Sequence, residues 1–202
     1  IWELAEPVAT YNDDDIQLQP GEDYDDYGLF CFVTGNGNEP GNGGFDDVDG
    51  GNTTLYSPSF DLSGLDEAVV TYWRWYTNNV GDNPGTDRWK VEVTSDSGES
   101  WEILEDTSQS ESNWVQKTFL LSNYNIDFTD QVQFRFIAED INNIGDTGSG
   151  GSIVEAAIDD FIVSSFNTND IIQGDLNNDD QLDVLDVVSM VNLVLSNDYS
   201  AQ

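Results

Sequence analysis

The 202-residue chain carries five Lys+Arg against forty Asp+Glu, a formal net charge of −35, with no histidine and a single cysteine, Cys31. This composition excludes imidazole bases, Ser-His-Asp and Cys-His nucleophiles and His-ligated zinc, and a lone cysteine makes neither an internal disulfide nor a CxxC pair. So negative a field repels nucleic acid and anionic membranes, and its natural counterion is a cation, calcium before others.

Hydrophobic residues at 38% and aromatics at 12% suffice for a packed core despite the charge. Repulsion among the carboxylates is relieved by salt or bound divalent ions, as calcium-rich extracellular media supply. No apolar run approaches the ~20 residues of a membrane helix, so no membrane insertion is expected. No basic-then-apolar leader opens the sequence at Ile1, so any signal peptide is removed or lies outside it. The expectation is a secreted protein, extracellular or at the cell surface. Cys31 sits among Leu29, Phe30, Phe32 and Val33, the setting of a small buried hydrophobe rather than a reactive thiol.

In chain order, residues 1–166 read as short strands between Gly, Asn, Asp and Pro clusters, at 29–34, 54–57, 68–77, 88–95, 101–106, 114–121, 131–139 and 153–164. The period is two: Trp89, Val91 and Val93 alternate with Arg88, Lys90 and Glu92, and Val132, Phe134, Phe136 and Ala138 alternate with Gln133 and Arg135. Eight alternating strands with no helical pattern between them predict an all-β, antiparallel two-sheet sandwich of the jelly-roll type. Residues 167–173 read as a polar linker and 174–202 as an appended calcium-binding repeat.

In that repeat, Asp175, Asn177, Asp179, Asp183 and Asp186 stand at positions 1, 3, 5, 9 and 12 of a loop, with Gln181 at position 7, where the backbone carbonyl ligates. Calcium takes six to eight hard oxygens, and this spacing wraps them round one ion. Position 6 is Asp180 where glycine is usual, and position 12 is Asp where the longer Glu is usual. An amphipathic helix is predicted next, with Val184, Val187, Val188, Val191 and Leu195 in one stripe. So apolar a short helix needs a partner surface. A loop with only an exiting helix is half an EF-hand and resembles a type I dockerin repeat over about 174–195. That resemblance implies docking onto a cohesin-like protein, or self-association through the helix. Dockerins carry two such repeats and one is present here, and positions 10 and 11, used for partner recognition, are the apolar pair Val184 and Leu185.

An ordered set of motifs spans the first 166 residues. It runs through Trp2-Glu3 with Pro7, Gln19-Pro20, Cys31-Phe32-Val33-Thr34-Gly35 and Asp47-Val48-Asp49-Gly50-Gly51. It continues through Thr54-Leu55-Tyr56-Ser57-Pro58, Tyr72-Trp73-Arg74-Trp75-Tyr76 and Ile158-Asp159-Asp160-Phe161. The set resembles the MAM-like jelly-roll modules appended to secreted bacterial metallopeptidases and carboxypeptidases, akin to those of immune inhibitor A. The resemblance implies a non-catalytic accessory domain with structural calcium. Residue chemistry adds a ligand set. Asp159 and Asp160 adjoin in an apolar strand, so one carboxylate points inward and needs a cation or several donors. Asp47, Asp49 and Asp159, with Asp23 from the first acidic loop, are expected around one ion; the competing reading is a set of solvated loop acids with Asp159 capping a turn.

Two further patterns bear on function. Thr94-Ser95-Asp96-Ser97-Gly98 leading to Trp101 fits the Asp-box hairpin, read as structural, with Asp96 bonding the turn backbone. All five cations fall on predicted strands. Tyr72, Arg74, Tyr76, Arg88, Lys90 and Arg135 would form a polar aromatic face able to hold a polysaccharide if they share a sheet. The competing reading pairs these cations across strands with Glu92, Glu139 and Glu155. The leading functional reading is thus a calcium-stabilised accessory module for attachment or binding of glycan or protein, without catalysis. A self-assembling subunit of an extracellular fibre or surface layer is the alternative, and a glycosidase using two carboxylates is the third reading.

Overall fold

The computed structural model describes residues 1–25, 27–37, 41–44, 46–142, 151–166, 174–176, 181 and 183–198. The chain divides into two compact units, Ile1–Ser165 and Phe166–Gln202. The expected linker at 167–173 lies outside the described residues.

All eight predicted strands of the first unit are present, as β4 (Cys31–Thr34), β6 (Gly51–Tyr56), β7 (Glu67–Thr77), β8 (Trp89–Thr94), β9 (Glu102–Thr107), β10 (Glu111–Leu120), β11 (Gln133–Asp140) and β12 (Glu155–Phe166). Four short strands escape the periodicity: β1 (Trp2–Ala5), β2 (Thr10–Tyr11), β3 (Gln17–Gln19) and β5 (Gly41–Asn42). Segments of two to four residues are too short for an alternation to register.

The strands form a five-stranded sheet, β1-β4-β12-β7-β10, and a four-stranded sheet, β6-β11-β8-β9. From β4 onward the sandwich strands cross from one sheet to the other at each step except the β8–β9 hairpin. That winding is an antiparallel jelly-roll sandwich. The alternation of β8 and β11 does what its sequence dictates: Trp89, Val91, Val93, Phe134, Phe136 and Ala138 fill the space between the sheets, against Val70, Tyr72 and Tyr76 of β7. Rings meet edge to face here, with Tyr72 and Phe136 at 5.3 Å and Phe134 and Phe161 at 5.4 Å between centroids.

The third sheet, β3-β2-β5, is small, with β2 antiparallel to β3 and parallel to β5. It is fastened to the outer face of the five-stranded sheet through Leu18, whose carbonyl accepts from Trp75 Nε1 at 2.6 Å and from Thr77 Oγ1 at 3.0 Å. The acidic turn before β6 is fastened as tightly. Gly35 at the end of β4 has φ +48°, and a Cβ there would stand 1.3 Å from the Asp46 carbonyl oxygen. Only glycine permits that approach. Cys31 is buried in a second cluster with Val33, Trp75 and Ala157, and burial followed by the charges of Asp159 and Asp23 pushes its thiol up to about 12.

In the second unit the loop leads into α1 (Val184–Asp198). Asp186, buried at the first turn, accepts from Leu176 N–H and Asp183 N–H, both at 2.8 Å, and so ties the two ends of the loop together. Asp183 accepts from Leu185 N–H at 2.7 Å. Asp175 and Gln181 are described, whereas Asn177 and Asp179 lie outside the described residues. A hollow of about 410 Å³ beside Asp186 is lined by Val184, Val187 and Met190.

Candidate functional site

The expected sugar face of Tyr72, Arg74, Tyr76, Arg88, Lys90 and Arg135 is not one surface. β7 presents Tyr72, Arg74 and Tyr76 to the inside of the sandwich, where Arg74 is 1% exposed and both tyrosines are fully buried. The guanidinium of Arg74 pairs with Glu105 of β9 and Glu111 of β10, and Lys117 lies 3.3 Å from Glu111 and 3.8 Å from Glu105. Glu105 also accepts from the Tyr72 hydroxyl and from Trp89 Nε1 at 3.0 Å. Two cations and two anions thus neutralise one another, and burial, followed by Glu105, raises the Tyr72 hydroxyl pKa well above its ordinary value.

The other three cations sit on or beside the four-stranded sheet. Arg88 pairs with Asp106, Lys90 with Glu139 at 2.7 Å, and Arg135 with Glu92, its guanidinium 4.0 Å above the Trp101 ring. The cross-strand reading therefore describes Lys90 and Arg135. It fails for Glu155, which lies fully buried and accepts from Thr10 Oγ1 at 3.2 Å. The Asp-box hairpin is a closed turn: Asp96 accepts from Ser100 N–H at 2.9 Å and Thr94 Oγ1 at 2.6 Å. Those donors, with the Ser100 hydroxyl foremost, hold its carboxyl down at about 2.

The four carboxylates expected round one ion fall into two groups. Asp23 feels Asp159, Asp25 and Asp160, whereas Asp47 feels Asp49 and Asp140. The reason lies in β12. Glu155 neighbours Asp47, and Asp159 is four residues further along, about 13 Å at the rise of a strand. Among the described residues no three Cys, Asp or Glu side chains come together as a metal site. The Asp47 group is nevertheless unbalanced. Asp47 Oδ1 and Glu155 Oε2 are buried with no hydrogen-bond partner among the described residues. Asp159 is satisfied by backbone, accepting from Tyr24 N–H at 2.9 Å and Asp160 N–H at 2.8 Å.

What the sequence reading missed lies on the opposite face of β7. Trp73 and Trp75 point away from the space between the two large sheets, Trp75 being buried in the second cluster, and a bulge in β10 between Glu111 and Val115 sets Trp114 edge-on to Trp75, at 6.1 Å and 74°. Tyr24 stacks on Trp73 at 3.5 Å and 15°. The loop carrying Tyr24 is held to this face by Trp114 Nε1, which donates to the Glu22 carbonyl at 3.3 Å. Between this row and the small third sheet lies an open cleft of about 570 Å³. Tyr11, Tyr24, Trp75 and Trp114 give it ring surface, and Gln17, Glu22 and Asp23 give it polar groups. A smaller hollow of about 430 Å³ between 12–14 and 79–84 is lined by Asp13, Asp14 and Asp82 and by no aromatic ring among the described residues. The signal for the larger cleft was present in the sequence as two tryptophans of one parity flanking Arg74.

No family model matches the chain, and no curated protein matches it. Among solved structures, TmCBM61 in complex with beta-1,4-galactotriose is similar over 69% of this chain and 73% of its own, at 14% identity and a TM-score of 0.35. The CBM22-1 xylan-binding domain from Paenibacillus barcinonensis Xyn10C is similar over 83% and 94%, at 11% identity and 0.36. The enzymatically active domain of bacteriophage CBA120 tailspike protein 4 is similar over 82% of this chain and 19% of its own, at 13% identity and 0.40.

Proposed function

We propose that the sandwich is a non-catalytic, extracellular glycan-binding module and that the cleft under Trp114 and Tyr24 is its binding surface. The observation that carries this reading is the cleft's composition. Pyranose rings present C–H faces that stack on aromatic rings and hydroxyls that seek amide and carboxylate acceptors, and both sets of groups line one open groove. Trp75 and Trp114 sit on strands of a packed sheet, so the ring surface is formed before a ligand arrives, which limits the ordering cost of binding.

The expected result is that Trp114→Ala and Tyr24→Ala each weaken binding to a neutral polysaccharide panel of galactan, xylan and glucan at least tenfold, about 1.4 kcal/mol. Affinity electrophoresis reads the binding, and near-UV circular dichroism confirms an unchanged sandwich. Trp101→Ala, on the other sheet, should leave binding intact. Equal binding by all three variants would refute the cleft.

Calcium belongs to the same reading. The oxygen donors Asp175, Gln181, Asp183 and Asp186 suit it chemically, and Asp186 already gathers the two ends of their loop. When bound, calcium would neutralise that loop, and α1 behind it would serve attachment to a protein partner. In the sandwich, Asp47 Oδ1 and Glu155 Oε2, without a hydrogen-bond partner among the described residues, are the atoms a cation would relieve, with Asp49 beside Asp47.

A further inference from the structure

Building on the glycan reading of the cleft, we infer that its preferred ligand is a polysaccharide bearing protonated amino sugars, recognised by the Trp114 and Tyr24 rings together with the carboxylates of Glu22 and Asp23.

Three observations carry this. Two acidic residues, Glu22 and Asp23, line the cleft, and among the described residues no Lys or Arg lines it. No cation is free to compensate them, because all five in the chain are engaged elsewhere: Arg74 and Lys117 inside the sandwich, and Arg88, Lys90 and Arg135 with carboxylates of or beside the four-stranded sheet. Behind the cleft the same sign continues. Asp159, Asp25 and Asp160 lie close enough to act on Asp23. An ammonium group placed there is attracted by the carboxylates and by the faces of the aromatic rings, the combination that recognises cationic ligands. A uronate or sulfate placed there meets only like charge. A neutral sugar gains the stacking and nothing from the field.

The test uses three β-1,4-linked hexamers that differ only at C2: glucosamine, N-acetylglucosamine and glucose. Isothermal titration of the full chain is expected to give the glucosamine hexamer at least tenfold tighter binding than the other two. That preference should shrink as salt rises from about 0.05 M to about 0.5 M. The double variant Glu22→Gln/Asp23→Asn should bring the three affinities together while keeping the stacking contribution, and Trp114→Ala should weaken all three. Equal binding of the hexamers, or tighter binding of a neutral one that Trp114→Ala abolishes, overturns the amino-sugar preference and leaves the glycan site standing. No binding by any hexamer also overturns it, and the glycan reading then rests on the neutral panel above.

Discussion

Arg74→Met is expected to lower the stability of the sandwich by about 3–5 kcal/mol, read from the midpoint of urea denaturation. Methionine keeps most of the length of the side chain and removes only the guanidinium. Glu105 and Glu111, 13% and 22% exposed, are then left facing each other with only Lys117 between them. Breaking a buried ion pair from one side costs far more than the pair contributes, because neither water nor the remaining partners replace the lost charge. The control is Arg74→Met with Glu105→Gln and Glu111→Gln, which removes the stranded charges and should recover much of the loss. A loss below about 1 kcal/mol for the single variant, the range of surface pairs, would mean the network is open to solvent.

The second large effect is a stability that falls as pH rises. Burial, aided by Asp49 and Asp140, pushes the Asp47 carboxyl up to about 7, and hydrogen bonds from its own backbone and from Val154 oppose this only in part. The unfolded chain gives up that proton near pH 4. Between about pH 4 and pH 7 the folded state therefore holds a proton that the unfolded state lacks. Stability is highest at the acid end of that window and falls by about 1.4 kcal/mol per pH unit through it. Glu155 extends the trend, its carboxyl raised well above the ordinary value by burial and then by Asp47. Asp96, held at about 2, works in the opposite direction but only in more acid solution.

Thermal melts in chelator should accordingly fall between about pH 5 and pH 7.5. Asp47→Asn should flatten the slope, because the amide carries no charge at any of these pH values. Calcium should flatten it too, by balancing the carboxylates once they ionise. A melting temperature that rises across this interval in chelator, as for an ordinary acid-sensitive protein, would contradict the burial of Asp47.

The fold was legible where the alternation is long and strict. β8 and β11 read correctly because Trp, Val and Phe occupy one parity and Arg, Lys, Glu and Gln the other. β7 is apolar and polar on both parities, with Tyr-Arg-Tyr against Trp-Trp, and there pattern alone misplaces the faces. The charged residue suggests that its own face is outward. The structure instead buries Arg74 with two glutamates from strands 31 and 37 positions away, and turns the tryptophans to the opposite face, Trp75 against the small third sheet and Trp73 under Tyr24. Neither partner is visible locally, since a buried ion pair is a property of topology. The far wall of the cleft was illegible for the same reason: it is built from β2 and β3, too short to announce themselves. Asp159 was expected beside Asp47, and on β12 it is Glu155 that neighbours Asp47.

The central claim is that ligand meets the sandwich on the outer face of β7 and β10. The six tryptophans of the chain give six indole N–H signals in a ¹H–¹⁵N correlation spectrum. On titration with a glycan that binds, the account predicts shifts of Trp114 and Trp75, with Trp73 following through its stacked Tyr24, while Trp89 and Trp101 hold still. Shifts confined to Trp101, or a spectrum in which Trp114 and Trp75 do not move at saturation, would contradict it.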